Sequence, residues 1–543
     1  MGYLKKNNSY FLLLLIVILL YCLVLSQYGM ETWDTGYMSS FAWRIVNGQN
    51  VYEDFIYKFP PVTIYFHAFF MKILPETGQF FYFRIIAYLS YVAQVYFFIS
   101  GAYLIYDLKK INKWALIIVC FLISWLNFPP YPWPTTDGLL FASIAFWIIA
   151  KNKNITFIPI FFIAFFSLLS ALSKQSFYLF PIIIFVWIYL RHNFRTVFYY
   201  LFNVSILLGI FILFVCKITT WQNFIQQING ELQLRDLYFV GIHNYIFLSA
   251  KWFIIVVLII SIIVSFYLKK TNQTLIKLAP QLKKIAFLLM SIAILLFLIG
   301  QFFIASFIAF DAAIITILYS YFEKKKTITF LFPLIVLMSI SWSVSISLGY
   351  QTTLLFATGI ILTFTTLMEN EIQWNTKKYI YVALPICLVA FASNKKPYRE
   401  TSIFELNYSM EAISPKLKYI KTNKSTFEKH LELKQLISKY GENFIVAPSM
   451  PMANYLFNSK SELPGDWLLD HEINRQSKRF ITICSDKKNF IFIEKSFVNG
   501  EDFKKSTIEA SPTAWFIYNK FNKIDETKYF LVYNSIKKNE KLP

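Results

Sequence analysis

Long apolar runs separated by short polar connections fill the first 393 residues, and nearly all of them are longer than a strand needs. The runs fall at roughly 10–26, 81–106, 114–127, 139–150, 155–173, 176–190, 197–216, 247–268, 285–301, 303–322, 328–345, 352–368 and 379–393. Each reads as a membrane-spanning helix, about thirteen in all, although several fall short of the roughly 20 residues that a perpendicular helix needs. The first run follows Lys5 and Lys6 as a signal sequence would, but no small-x-small cleavage site comes after it. It is expected to remain as an uncleaved span with a cytoplasmic amino terminus. An odd number of spans then puts the carboxy-terminal tail outside.

Two interruptions are too polar for simple turns. Residues 29–80 form a first external loop carrying Glu31, Asp34, Glu53, Asp54 and Glu76, with short helices expected along the membrane surface. Residues 217–246 form another external segment, with Trp221, Arg235, Asp236 and His243 on an amphipathic helix. From 394 to 543 charges become frequent and apolar runs shorten, and these 150 residues suffice for one soluble domain. Within it, 425–440 has helical spacing with Gly441 as a stop, while 443–449, 480–484, 489–495 and 529–534 read as strands. The fold class expected is an α-helical polytopic membrane protein, residues 1–393, followed by an external α/β domain, residues 394–543.

Composition agrees with this division. Over 543 residues, 57% are hydrophobic and only 15% are charged. A soluble chain has about 25% charged residues. The aromatic share of 20% accompanies abundant Ile, Lys and Asn, as an AT-rich coding sequence would give, so aromatic stripes are poor markers of ligand sites. The net charge of +21 changes the picture only through its distribution. Clusters such as Lys109–Lys110, Arg191 and Arg195, Lys324–Lys325–Lys326 and Lys377–Lys378 recur at alternate connections, as cytoplasmic loops do. The charge therefore reports orientation and gives no reason to expect a nucleic-acid partner. The tail carries a milder excess, 25 Lys and Arg against 18 Asp and Glu.

Candidate chemistry is sparse. The five cysteines share no metal-ligand spacing and suggest no disulfide framework. The five histidines are scattered, and no phosphate-cradling P-loop, HExxH or Gly-x-Ser-x-Gly occurs. Two external aspartates stand out by position. Asp34 follows the first span directly, where a carboxylate can act as a general base, bind a cation or cap the helix starting near Thr35. Asp137 closes a loop held extended by Pro129, Pro130, Pro132 and Pro134, and by itself reads as the N-cap of a span starting at Leu139. Asp311, inside an apolar span, is costly but reads as a structural partner.

The run Asp34-Thr35-Gly36-Tyr37, Ala42-Trp43-Arg44, Asn47-Gly48, Tyr52-Glu53-Asp54-Phe55 and Lys58-Phe59-Pro60-Pro61 resembles the first external loop of GT-C fold membrane glycosyltransferases. These include the protein O-mannosyltransferases and the bacterial aminoarabinose transferases. The chain departs from their Lys-Pro-Pro close by inserting Phe59. Leu172-Ser173-Lys174-Gln175 resembles the family's Thr-Lys-Gly segment, with Gln175 in place of Gly. Ser345 to Tyr350, Pro397-Tyr398-Arg399 and Gly465-Asp466-Trp467 are similar to later external segments of bacterial members.

The resemblance implies transfer of a sugar from a polyprenyl-phosphate donor to a hydroxyl of a glycolipid, glycan or protein acceptor, at the external face of the bacterial cytoplasmic membrane. Asp34 would take the acceptor's proton, and Asp137 would orient the acceptor or share a divalent cation with Asp34, the metal being left open. Lys58 and Lys174, with Arg44, Arg84 and Arg235 behind them, would stabilise the departing lipid phosphate. A rival from another class is a transporter or flippase of a lipid-linked or amphipathic substrate. Such a protein should show repeated halves and polar residues in paired broken helices, and neither is evident here.

Overall fold

Backbone groups that cannot reach water must bond within their own segment, so apolar runs of this length fold as helices. The computed structural model describes residues 2–31, 34–106, 108, 111–127, 131–152, 155–229, 238–239, 241, 274–322, 326–346, 352–372, 376–470, 472–486, 489–499 and 510–535. Within them a helix stands at every expected apolar run. These are α1 (Gly2–Leu25), α4 (Gln79–Ile105), α5 (Lys113–Asn127), α6 (Pro134–Lys151), α7 (Phe157–Ala171), α8 (Phe180–Arg191), α9 (Phe194–Ile218), α11 (Thr274–Leu298), α12 (Phe302–Phe322), α13 (Ile328–Ser345), α14 (Ala357–Ile372) and α15 (Thr376–Ser393). The expected run at 247–268 lies outside the described residues, as do Arg235, Asp236 and His243.

Among the described residues, four helical stretches are both long and apolar enough to cross a membrane: Gln79–Ile105, Phe194–Ile218, Ile304–Tyr321 and Ile328–Ser345. The second of these, α9, leaves Leu201, Phe202, Ile206, Ile210 and Leu213 exposed along its length. In water that stripe would be a surface for aggregation; in hydrocarbon it is stable. The protein is therefore a helical, membrane-associated one. Opposite this face, α4 packs on α6, α6 on α7 and α7 on α9. Aromatic contacts such as Phe98 with Phe356 (ring centroids 4.5 Å apart) and Phe146 with Trp187 (5.1 Å) fill the bundle. Asp311 sits within α12, and its Oδ2 is buried with no hydrogen-bond partner among the described residues.

The first loop contains the two short helices expected of it, α2 (Asp34–Val46) and α3 (Val62–Ile73), packed on each other. The segment after α9 supplies α10 (Trp221–Asn229), which buries Phe224, Gln227 and Ile228.

In the tail, period-two alternation builds a sheet with two covered faces. Strands β3 (Phe444–Ala447), β4 (Phe490–Glu494), β5 (Asn522–Glu526) and β6 (Phe530–Asn534) lie in the order β3-β4-β6-β5, with β3 parallel to β4 and the other pairs antiparallel. Phe444, Val446, Phe492, Phe530 and Val532 meet Leu433 and Leu436 of α16 (Lys424–Tyr440). Ile445, Ile491, Ile493 and Leu531 face the opposite way, onto α18 (Ser477–Asp486) and α20 (Pro512–Lys520). Asn423 caps α16 by accepting from the Thr426 N–H, and Gly441 ends it at φ 101°, a conformation that glycine adopts without steric cost. A further two-stranded pair joins β1 (Tyr408–Ser409) to β2 (Lys421–Thr422).

The sequence expectation fails at two tail segments. Residues 480–484 were expected to be a strand, yet they lie in α18. Phe480 and Cys484, four residues apart, are both fully buried against the sheet, and this packing outweighs the β preference of Ile481, Thr482 and Ile483. Strand β5 gave no apolar signal, because it is an edge strand whose residues are mostly exposed.

The tail and the first loop are held together by backbone hydrogen bonds. Gly29 N–H donates to the Lys421 carbonyl (2.8 Å), Lys421 N–H to that of Gln27 (2.7 Å), Ile56 N–H to that of Pro464 (2.7 Å) and Gly78 N–H to that of Pro415 (2.9 Å). A shared apolar cluster backs these bonds, with Met30, Ala42, Met71 and Phe83 meeting Met410, Leu417 and Tyr455.

Candidate functional site

Several of the polar residues that the sequence singles out lie where the first loop meets the ends of the apolar helices. Asp34 opens α2, where the helix dipole favours a negative charge. Its Oδ2 accepts from the Tyr398 hydroxyl (2.8 Å) and pairs with Arg399 Nη2 (3.2 Å). The other arm of Arg399 reaches buried Glu31 at 3.1 Å, so a single guanidinium bridges two carboxylates. Arg399 itself holds a left-handed backbone, φ 54°, an uncommon conformation for a residue with a side chain. Asp34 remains partly open, with 22% of its side chain exposed.

One turn along α2, Tyr37 is enclosed by Phe41, Trp133 and Trp467. Burial, then nearby Glu472, holds its phenol well above the usual range. Glu472 also accepts from Lys58 Nζ at 2.6 Å, and Lys58 lies over the Phe59 ring. The residue inserted into the Lys-Pro-Pro pattern is thus a ring against which the Lys58 ammonium rests.

Asp137 does not cap a helix starting at Leu139. Helix α6 begins earlier, at Pro134, whose fixed φ suits the first helical position, and this puts Asp137 inside the first turn. Its buried Oδ2 lies 2.9 Å from Nε2 of His67 on α3, the two side chains being 3% and 4% exposed. The next residue, Gly138, allows the close approach of the α7–α8 connection, since a Cβ there would meet Phe177 at 2.6 Å. That approach brings Lys174 against α6. Lys174 Nζ donates to Thr135 Oγ1 and to the Ile346 carbonyl, both at 3.1 Å, and among the described residues no carboxylate lies within ion-pair distance of it. Burial, and secondly Lys58, pushes its ammonium down to about 8. Gln175 donates to the carbonyls of Lys58 (2.5 Å) and Ile228 (3.2 Å), tying the loop and α10 to this junction.

Around the junction, Tyr57 Oη, Thr63 Oγ1, His67 Nδ1 and Ser176 Oγ are buried without a hydrogen-bond partner among the described residues. Such orphans cost stability unless something meets them. They make the region suited to a polar ligand.

The candidate cations divide sharply. Arg44 is buried and committed to the tail, donating from Nε and Nη2 to the two Asp466 oxygens (2.7 and 2.6 Å), and from Nη2 to Ser461 Oγ and the Leu463 carbonyl. Asp466 is buried as well. Burial raises its carboxyl, but Arg44 and hydrogen bonds from Ser40 and Ser461 outweigh this and hold it below its ordinary value. Arg84 closes the end of α1 by donating to the carbonyls of Ser26, Tyr28 and Gly29. Lys58 and Lys174 are the two candidate cations that stand together at the junction.

Asp34 and Asp137 are engaged separately, by Arg399 with Tyr398 and by His67. Among the described residues no group of three or more His, Cys, Asp or Glu side chains is arranged to hold a metal ion. Sequence reasoning missed the partners. Arg399 stood in a quoted motif, but nothing local tied it to Asp34, and His67 looked like one of five scattered histidines. Compared with protein-family models, with curated proteins and with solved structures, the chain has no match.

Proposed function

We propose that this protein is a membrane glycosyltransferase that moves a sugar from a polyprenyl-phosphate donor to an acceptor hydroxyl on the external face of the cytoplasmic membrane. On this reading about thirteen spans precede an external tail domain, with the amino terminus in the cytoplasm. The observation that carries it is Lys174, a buried ammonium with no carboxylate partner among the described residues, beside Lys58 and a set of orphaned polar atoms. A buried cation without an internal counter-ion suits an anionic ligand, and a lipid phosphate is one that arrives from the bilayer.

In the transfer, the acceptor oxygen attacks the anomeric carbon. A carbon–oxygen bond forms there as the bond from that carbon to the phosphate oxygen breaks. The electron pair leaves with the polyprenyl phosphate, whose growing charge Lys174 and Lys58 stabilise. Asp34 takes the acceptor's proton, with the Arg399 guanidinium 3.2 Å away holding the carboxylate in place.

The test is Asp34→Asn in native membranes supplied with polyprenyl-phosphate sugars. Loss of the general base should slow transfer about 10²–10⁴-fold while the protein remains inserted. A fully active, stably inserted variant would overturn the assignment. The topology is tested by a reporter fused after residue 393, which should report the external side; a cytoplasmic signal would reject the span count.

A further inference from the structure

A second polar site lies on the other side of the first loop. Residues Glu53, Asn223, Gln226, Asn474, Arg475 and Arg479 line a cavity of about 570 Å³, formed jointly by the loop, α10 and the turn leading into α18. That volume lies within the range of small-molecule sites. Its chemistry is unlike an apolar ligand pocket. Amide side chains, which both donate and accept hydrogen bonds, alternate with two guanidinium groups. Glu53 is the acidic residue of the lining, and it already accepts from Thr219 Oγ1 (3.0 Å) and Asn223 Nδ2 (3.2 Å).

The balance is therefore cationic, and donors are at hand. Among the described residues Gln226 and Asn474 make no side-chain hydrogen bond, and Arg479 makes only a 3.3 Å contact to Gln476. Asn474 and Arg475 are consecutive non-glycine residues with left-handed backbone, φ 49° and 55°, a conformation the fold must impose. Adjacent hydroxyls of a sugar match amides, and a carboxylate or phosphate matches guanidinium groups.

The cavity is also wired to the catalytic junction. Gln227, at its floor, donates to the Tyr52 carbonyl (2.7 Å) and accepts from the Tyr57 N–H (3.0 Å), while Gln175 bonds the neighbouring Ile228 carbonyl from beside Lys174. We infer that this cavity binds an acidic oligosaccharide, which is the acceptor of the transfer. The acceptor role rests on the function proposed above; the binding itself does not.

The test uses the full chain in detergent or nanodiscs, titrated with trigalacturonate, glucose 1-phosphate and maltotriose. An acidic probe should bind at least tenfold more tightly than maltotriose, and Arg479→Gln, at a largely solvated site, should weaken it by tenfold or more. Gln226→Ala should weaken it several-fold. Whichever acidic probe binds identifies carboxylate or phosphate as the recognised group. Equal binding of the neutral trisaccharide, or acidic binding indifferent to Arg479→Gln, overturns the inference. Binding measured in the Asp34→Asn background separates the two readings. Unchanged binding there leaves this site standing whatever happens to transfer, and absent binding in an active wild-type protein rejects this site alone.

Discussion

Arg44 and Lys174 are both buried cations beside the first loop, and the chain treats them differently. Arg44 meets Asp466 in a two-point ion pair, and its Nη2 donates as well to Ser461 and a backbone carbonyl. Lys174 has one hydroxyl and one carbonyl, and no carboxylate among the described residues. A buried charge completed from within holds two parts of the chain together. One completed only by neutral groups leaves part of its field for a ligand. The same burial thus serves assembly in one region and, on the function proposed above, chemistry in the other.

The largest effect should come from breaking the completed pair. Arg44→Ala leaves Asp466 buried and unpaired, which should cost about 3–5 kcal/mol of stability. Thermal unfolding in detergent would register the loss, and the first loop should become accessible to protease together with the tail. A variant as stable as the parent would mean that Arg44 and Lys174 are not distinguished in this way.

Removing Lys174 should do the reverse. Lys174→Met leaves no orphaned carboxylate, so stability should hold or rise, whereas transfer should fall about ten- to a hundredfold, the worth of roughly 1.5–3 kcal/mol for charged hydrogen bonds. Equal losses of stability and activity would sink the contrast.

The smallest effect is in pH, and here Lys174 and Asp466 should both make stability rise with pH, but in two widely separated windows. The folded pKa of Lys174 is lowered from 10.5 to about 8, so between those values the unfolded chain binds more protons. Its burial penalty is fully present below pH 8 and is relieved as pH rises towards 10.5, so stability should climb over that window while phosphate-dependent activity falls. Lys174→Met should flatten part of the climb, a comparison read from melting temperature against pH. The rest comes from Lys416, which burial likewise pushes down to about 8. Asp466 has its folded pKa lowered from 3.8, so its contribution is complete above that value and is lost as pH falls below it. The clamp should therefore weaken in acid.

Much of the architecture was legible in the chain. The apolar runs located the helices, because a helix needs only local spacing and local hydrogen bonds. Strands β3, β4 and β6 were legible for the same reason, as their alternating side chains supply both faces of the sheet. Residues 480–484 were not, because a five-residue apolar run fits either period and only its position over the sheet decided it. Asp34, Asp137, Lys58 and Lys174 were legible as suspects, being polar residues near apolar helix ends. Their partners were not. Arg399 is hundreds of positions from Asp34, and no local spacing links His67 to Asp137.

By itself the sequence determined a membrane-associated helical protein, its helix positions, its most polar region and a short set of chemically interesting residues. Only the tertiary structure decided which of those residues were already satisfied. Secondary structure depends on neighbours within a few positions, whereas the fate of a buried charge depends on whichever distant segment the fold brings against it. Asp466 reaches Arg44 across the chain, and no comparable carboxylate reaches Lys174 among the described residues.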